Sequence, residues 1–279
     1  MKNLLFKTVF VIVFSFCGQG IYAQVRINEI PRFIEESNSE VDSIVFYALK
    51  NLALAYSYVN LDSSQFYLKK LEDLTNKKYS NVPEKLAWLF EISGEVYREI
   101  GDIKKAKEHT RKSLRINLEI GAQKRIAYNY MQLGNHEADM YQYDSALIHL
   151  EKAKNIFSHN QNNHGLAVTI SNIGAIHGYL GNESESIKAS YEALDIYLAE
   201  KKFSHVAISL QNIGITFLGI GELKKAKDHI LESIEYAQKE NNQYRIAKSY
   251  GLLADIAIEQ EKHDEAIELY EKDLAIRET

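Results

Sequence analysis

The sequence predicts an all-α chain, a right-handed superhelical solenoid of about six antiparallel helix pairs, from three observations that share one spacing. A small residue recurs every 40 residues, at Gly94, Gly134, Gly174, Gly214 and Ala254. Seven residues before each stands an alanine behind an apolar residue, at Ala87, Ala127, Ala167, Ala207 and Ala247. Twelve residues after each stands a second small residue: Ala106, Ala146, Ser186, Ala226 and Ala266. Helices packed face to face lie about 8–10 Å apart. Bulk at the closest approach would force them apart at a cost of about 1–3 kcal/mol, so the small residues mark where each pair touches.

Along the chain, residues 1–23 have the layout of a secretory signal. Lys2 and Lys7 precede the apolar run Val9 to Phe16, and Gly18 to Ala23 is small enough for cleavage after Ala23. The run is short of the roughly 20 residues that span a bilayer, and an uncleaved anchor is the alternative. Residues 24–43 read as an irregular lead-in with a short helix from Pro31 to Glu36. Residues 44–279 read as the solenoid, with repeats at about 44–81, 82–121, 122–161, 162–201, 202–241 and 242–279. In each, a first helix carries the apolar-Ala pair and the Gly94-type residue. A turn follows, as at Gly101-Asp102, Gly181-Asn182 and Gly221-Glu222, where glycine ends one helix and Asp or Asn starts the next. The second helix carries the Ala106-type residue and then apolar residues such as Leu114, Leu194, Ile234 and Leu274. Pro31 and Pro83 are the only prolines, as long uninterrupted helices require.

The spacing within a repeat resembles the tetratricopeptide repeat family. The second copy reads Phe90, Gly94, Tyr97, Gly101 and Ala106, and the fifth Leu210, Gly214, Phe217, Gly221 and Ala226. The 40-residue period is similar to the repeats of kinesin light chains and of bacterial peptide-sensing regulators, against about 34 for the common form. A degenerate first copy fits residues 44–80, with Leu52-Ala53, Tyr56 and Asp62-Ser63-Ser64. Glu137, His177 and Ala257 depart from the family aromatic, and Glu261 from the turn glycine.

Charge and composition narrow the function. The net charge of −5 becomes −7 when the leader, with its two lysines and no acid, is removed. Cys17, the single cysteine, leaves with it, so the mature chain forms no disulfide; such a secreted chain points to a bacterial periplasm or exterior. An acidic surface argues against nucleic acid and anionic membranes as partners, and no second apolar stretch could span a membrane. The lysines of the near-identical stretches Gly101 to His109 and Gly221 to His229 read as a solvated face. His136-Glu137 lacks the second histidine of a zinc-protease motif, Met140 standing in its place. His109, His149 and His229 share one phase but lie a repeat apart, beyond the reach of one metal ion. Gly219-Ile220-Gly221 lacks a third glycine and a preceding strand. The expectation is therefore no enzyme, no metal and no cofactor. Glu137 and His177, in one phase of adjacent repeats, are expected to face each other as a polar pair.

The face of each first helix opposite its buried stripe runs at −6, −2, +1 and +5 from the glycine. It includes Trp88, Ile92, Glu95 and Glu99 in the second copy, and Tyr128, Gln132, Asn135 and Asp139 in the third. It takes in Val168, Asn172, Ala175 and Tyr179 in the fourth, and Ile208, Asn212, Ile215 and Gly219 in the fifth. Gln132, Asn172 and Asn212 then make a row of amides, each able to donate and accept at once, as an extended peptide backbone requires. The resemblance implies the same, because asparagine ladders grip peptides in the 40-residue relatives. Trp88, Tyr128 and Tyr179 would supply apolar pockets beside them. The expected function is an exported, non-catalytic module that binds a protein or an extended peptide segment, as the sensory or scaffolding part of a bacterial signalling system. A binder of small molecules or glycans, with Trp88 and Tyr128 as platforms, is the alternative. The last helix, with Leu269, Leu274 and Ile276, is expected to dock on a partner or continue into a further segment.

Overall fold

A computed structural model describes residues 28–57 and 59–278, and these are helical throughout apart from turns. The expected leader lies outside the described residues. The lead-in helix is α1 (Ile30–Glu36). Six pairs follow: α2 (Asp42–Tyr56) with α3 (Leu61–Lys78), α4 (Pro83–Ile100) with α5 (Ile103–Glu119), α6 (Gln123–Asp139) with α7 (Tyr143–His159), α8 (Asn163–Leu180) with α9 (Glu183–Ala199), α10 (Phe203–Gly219) with α11 (Leu223–Lys239), and α12 (Gln243–Glu259) with α13 (His263–Arg277). No helix among the described residues is long and apolar enough to cross a membrane. Contacts group the helices into two units, one ending at Asn162 and one starting at Asn163.

In both units the tightest packing is within a pair, at the small residues. Ala87, Ala127, Ala167, Ala207 and Ala247 are fully buried, as are Ala106, Ala146 and Ala226. A Cβ placed on Gly94 would meet the Thr110 hydroxyl at 2.7 Å and the Ala106 carbonyl at 3.3 Å. On Gly214 it would meet Ile230 Cδ1 at 2.6 Å and the Ala226 carbonyl at 3.2 Å. The first helix thus presses on the backbone of the second where the second has almost no side chain. Ala254 takes this place in the last pair. The residue sixteen further on, Thr110 or Ile230 in the pairs above, is there Tyr270, which is 40% exposed and donates to the Asp255 carboxylate at 2.6 Å. The N-terminal unit closes a core of Phe46, Leu49, Leu54, Leu71, Leu89 and Val96. The C-terminal unit closes another around Ile170, Leu210, Ile213, Ile230 and Ile256. Each such side chain contributes about 1.5–3 kcal/mol on burial.

The turns obey a stricter period than the residue types suggest. A left-handed residue stands every 20 positions: Gly101, Gly121, Tyr141, Gln161, Gly181, Lys201, Gly221, Asn241 and Glu261. At each, two backbone bonds close the preceding helix, as in Gly101 N–H to the Arg98 carbonyl (2.9 Å) and Asp102 N–H to the Tyr97 carbonyl (2.9 Å). The next helix begins at once. The Asp102 carboxylate accepts from Lys105 N–H at 3.1 Å and Asn242 from Arg245 N–H at 3.1 Å. Asn182 makes no such cap; its amide reaches back to His177 Nδ1 at 3.4 Å.

Candidate functional site

In the N-terminal unit the exposed flank of α4 meets that of α6 through three polar links. Arg125 Nη1 donates to Glu91 at 2.9 Å, Gln132 Nε2 to Glu95 at 3.1 Å, and Arg98 Nε to Asp139 at 2.7 Å. These side chains are half-buried: Arg98 and Asp139 keep 18% and 22% of their side-chain surface. Two atoms on this flank are enclosed without a hydrogen-bond partner, Trp88 Nε1 and Gln132 Oε1. Each unmet group costs the fold about 1–3 kcal/mol. Trp88 packs edge-on against Tyr47 (5.2 Å between centroids), and Arg125, Lys85 and Lys50 lie over its ring at 4.2, 4.8 and 5.1 Å. It therefore offers no bare stacking platform. Tyr128 sets its ring against Phe157 at 5.0 Å, and Asn135 is half-buried further along α6.

In the C-terminal unit, Asn172 and Tyr179 on α8 and Asn212 on α10 are half-buried, and Tyr179 packs on the core. The flank expected to be open is not open throughout. Ile92, Ile208 and Ile215 retain only 2%, 6% and 2% exposure, because α4 has α2 beside it and α10 has α8 and α12. The amide that the sequence reading missed is Gln211. It is 1% exposed and bridges to α12, giving hydrogen bonds to the Arg245 carbonyl (3.0 Å) and the Ser249 hydroxyl (2.8 Å). No residue type repeats at its phase, so nothing in the spacing marked it.

The expected pairing of Glu137 with His177 is corrected. Glu137, 3% exposed, is held by Lys107 Nζ at 2.8 Å and by His149 Nδ1 at 2.6 Å. Both partners lie on second helices, one on α5 and one on α7, so residues in one phase of the first helices do not include them. Burial alone would raise the Glu137 pKa, but hydrogen bonds from Lys107 and His149 and their charges bring it below the usual carboxylate value. Next to it, His136 Nε2 lies 3.0 Å from the Thr110 hydroxyl, which donates to the Ala106 carbonyl at 3.0 Å. His136 is 1% exposed and Thr110 is fully buried, so this pair is closed to any substrate. Burial above all, then the Arg98 charge, pushes the His136 pKa down to about 4. His205, whose ring lies 5.2 Å from His164 and 4.9 Å from Tyr197, is pushed to about 4 as well, by burial, then His164, Lys202 and Arg245. His109 rests against Phe90 and Tyr97, and His229 accepts or donates at 2.8 Å with Tyr191.

Residues 205–279, which span α10 to α13 almost whole, match the family model described as tetratricopeptide repeat. The same small-residue phases run through the pairs before them. The match to tetratricopeptide repeats covers the last two helix pairs. Solved structures of similar fold include a Rap protein complexed with competence and sporulation factor, at TM-score 0.70 and 12% identity over 92% of this chain and 77% of that one. NprR in complex with its cognate peptide NprX gives 0.64 and 17% over 91% and 76%. Aspartyl phosphate phosphatase F from Bacillus subtilis gives 0.67 and 15% over 88% and 74%. At these identities the likeness is one of fold. No curated protein matches this chain at a significant level.

Proposed function

We propose that this chain is a peptide-binding repeat module whose first-helix flanks take an extended segment of a partner. The observation that carries the reading is the α4–α6 flank. It is polar and half-buried, and it encloses one donor, Trp88 Nε1, and one acceptor, Gln132 Oε1, that the chain itself leaves unmet. A bound peptide offers both kinds of group at every residue, and small side-chain rotations would bring these two atoms onto it. Asn172 and Asn212 present half-buried amides in the C-terminal unit. Of the structures of similar fold, one was solved with its cognate peptide and another with competence and sporulation factor, in keeping with the reading. The charged leader, the apolar run and the small residues before Gln24 support export, and with export a sensory or scaffolding role in a bacterial signalling system.

The test starts from random peptide display against the chain from Gln24 onward. Affinities of the selected sequences are then measured for Gln132→Ala and for Asn172→Ala with Asn212→Ala. Capture should weaken by about tenfold or more, equal to about 1.4 kcal/mol, while the melting temperature moves by only a few degrees. Display that enriches nothing, or a peptide bound equally by all three proteins, would remove the reading. N-terminal sequencing of the native protein tests export, with Gln24 expected as the first residue.

A further inference from the structure

We propose that the outward face of α5 is a second docking surface, for an acidic segment of a partner protein carrying an apolar anchor. It lies on a second helix, apart from the first-helix flanks described above. α5 carries six basic residues and two acidic ones in a chain whose net charge is −5. Lys104, Lys107, Arg111 and Arg115 follow at steps of three and four, a single stripe about 16 Å long. A surface trough of about 540 Å³ runs along it and ends at Met140. A neighbouring one of about 560 Å³ shares Lys104 and Met140 and adds the apolar Ile100 and Ile103 at one end, beside Asp102, whose carboxylate is matched by Lys105.

The fold does not ask for these charges. At the place of Arg111 the four later pairs carry Glu151, Tyr191, Leu231 and Glu271; at the place of Arg115 they carry Asn155, Asp195, Glu235 and Ala275. The first turns of α5 and α11 are nearly the same, yet α11 goes on to Leu231, Glu232 and Glu235. Like charges at i and i+4, as in Lys107 with Arg111 and Arg111 with Arg115, weaken a helix by about 0.2–0.5 kcal/mol each. Some cations are internally matched: Lys105 with Asp102 at 3.2 Å, Lys107 with Glu137 at 2.8 Å, Lys112 with Glu108 at 2.6 Å. Lys104, Arg111 and Arg115, all exposed, form no ion pair among the described residues. Three aligned, unmatched cations beside Ile100 and Ile103 complement a short acidic segment with a leucine-like anchor. A nucleic acid or an anionic membrane would also meet the acidic remainder of the surface and be repelled by it.

The test is fluorescence anisotropy of a fluorescein-labelled peptide that alternates two glutamates with one leucine, titrated with the chain from Gln24 onward. Wild type should bind at low salt and lose affinity as salt rises. Arg111→Glu with Arg115→Glu should weaken binding by about tenfold or more. The milder Arg111→Gln with Arg115→Gln should weaken it less and keeps the test valid if charge reversal unfolds the helix. Lys224→Glu with Lys225→Glu, which changes net charge equally on α11, should bind as wild type does. Absence of binding at low salt, an equal loss in the α11 variant, or tighter binding of a single-stranded oligonucleotide or of phosphatidylglycerol vesicles would each overturn the proposal.

Discussion

His136 shows how much one side chain can set. Its ring is enclosed, bonded through Nε2 to Thr110, with Nδ1 enclosed and without a partner. The tautomer that leaves the Thr110 proton on the Ala106 carbonyl has its hydrogen on Nε2 and its lone pair on Nδ1. Protonation would add a buried donor with nothing to receive it, which is the physical content of a pKa near 4. The sign of the linkage follows. The unfolded chain takes up this proton near pH 6.5 and the folded chain only near pH 4, so stability is full above 6.5 and falls between those values. The loss from this residue is about 3 kcal/mol, and His205, shifted to the same value, adds a comparable share. Glu137 works lower down: its depressed pKa gives stability that is present above its unfolded value and lost as the pH falls through the folded one. Urea unfolding at pH 7 and pH 5 therefore isolates the histidines. Wild type should lose stability across that step, and His136→Gln should lose clearly less; an equal loss in both would show that the ring is not the group titrating.

At the scale of the helix and its turn, the backbone imposes a period of 20 that the residue types only half reveal. Four of the nine left-handed positions are glycine and five are Tyr141, Gln161, Lys201, Asn241 and Glu261. A residue with a Cβ costs about 1–2 kcal/mol there, offset in part by the freedom glycine has in the unfolded chain. Lys201→Gly should therefore raise the melting temperature by a few degrees, and Gly101→Ala should lower it. A Cβ on Gly101 would have nothing within 4 Å, so any loss there is purely conformational. Calorimetry that found the opposite order would mean the turns are not the constraint. The glycine and alanine phases were legible in the sequence because close helix packing admits no other residue types. Of the five substituted turns only Glu261 stood out as replacing a glycine; Tyr141, Gln161, Lys201 and Asn241 did not, since a left-handed Lys or Gln looks like any surface residue until its neighbours at 20-residue spacing are known. The candidate flank was drawn from helical angle alone, and burial closes it at Ile92, Ile208 and Ile215. There the neighbouring first helices cover what a single helix would leave open. Glu137 was misassigned for a related reason, its partners lying on second helices that a phase count along first helices never compares.

For the molecule as a whole, stability is a sum of local terms, because each helix pair in a repeat array draws mainly on its neighbours. The two units have separate cores, Phe46 to Val96 in one and Ala167 to Ile256 in the other. A defect in one pair should therefore loosen that pair and its neighbours and leave distant pairs protected. Gly134→Ala supplies such a defect: the new Cβ would meet Leu150 Cγ at 2.7 Å and the Ala146 carbonyl at 3.0 Å. The side chain can turn away, but the carbonyl belongs to α7 and can yield only if the helix moves. The expected cost is about 1–3 kcal/mol, paid as local opening of α6 and α7. Hydrogen exchange followed by mass spectrometry should show faster exchange there, with α10 to α13 unchanged. Gly251→Ala is the matched control, since its nearest contact is the Asp273 carboxylate at 3.2 Å, the end of a side chain that can rotate aside. Exchange that rises equally from α4 to α13 in the Gly134 variant would show one cooperative unit in place of a series, and a peptide bound to either unit would then stabilise both.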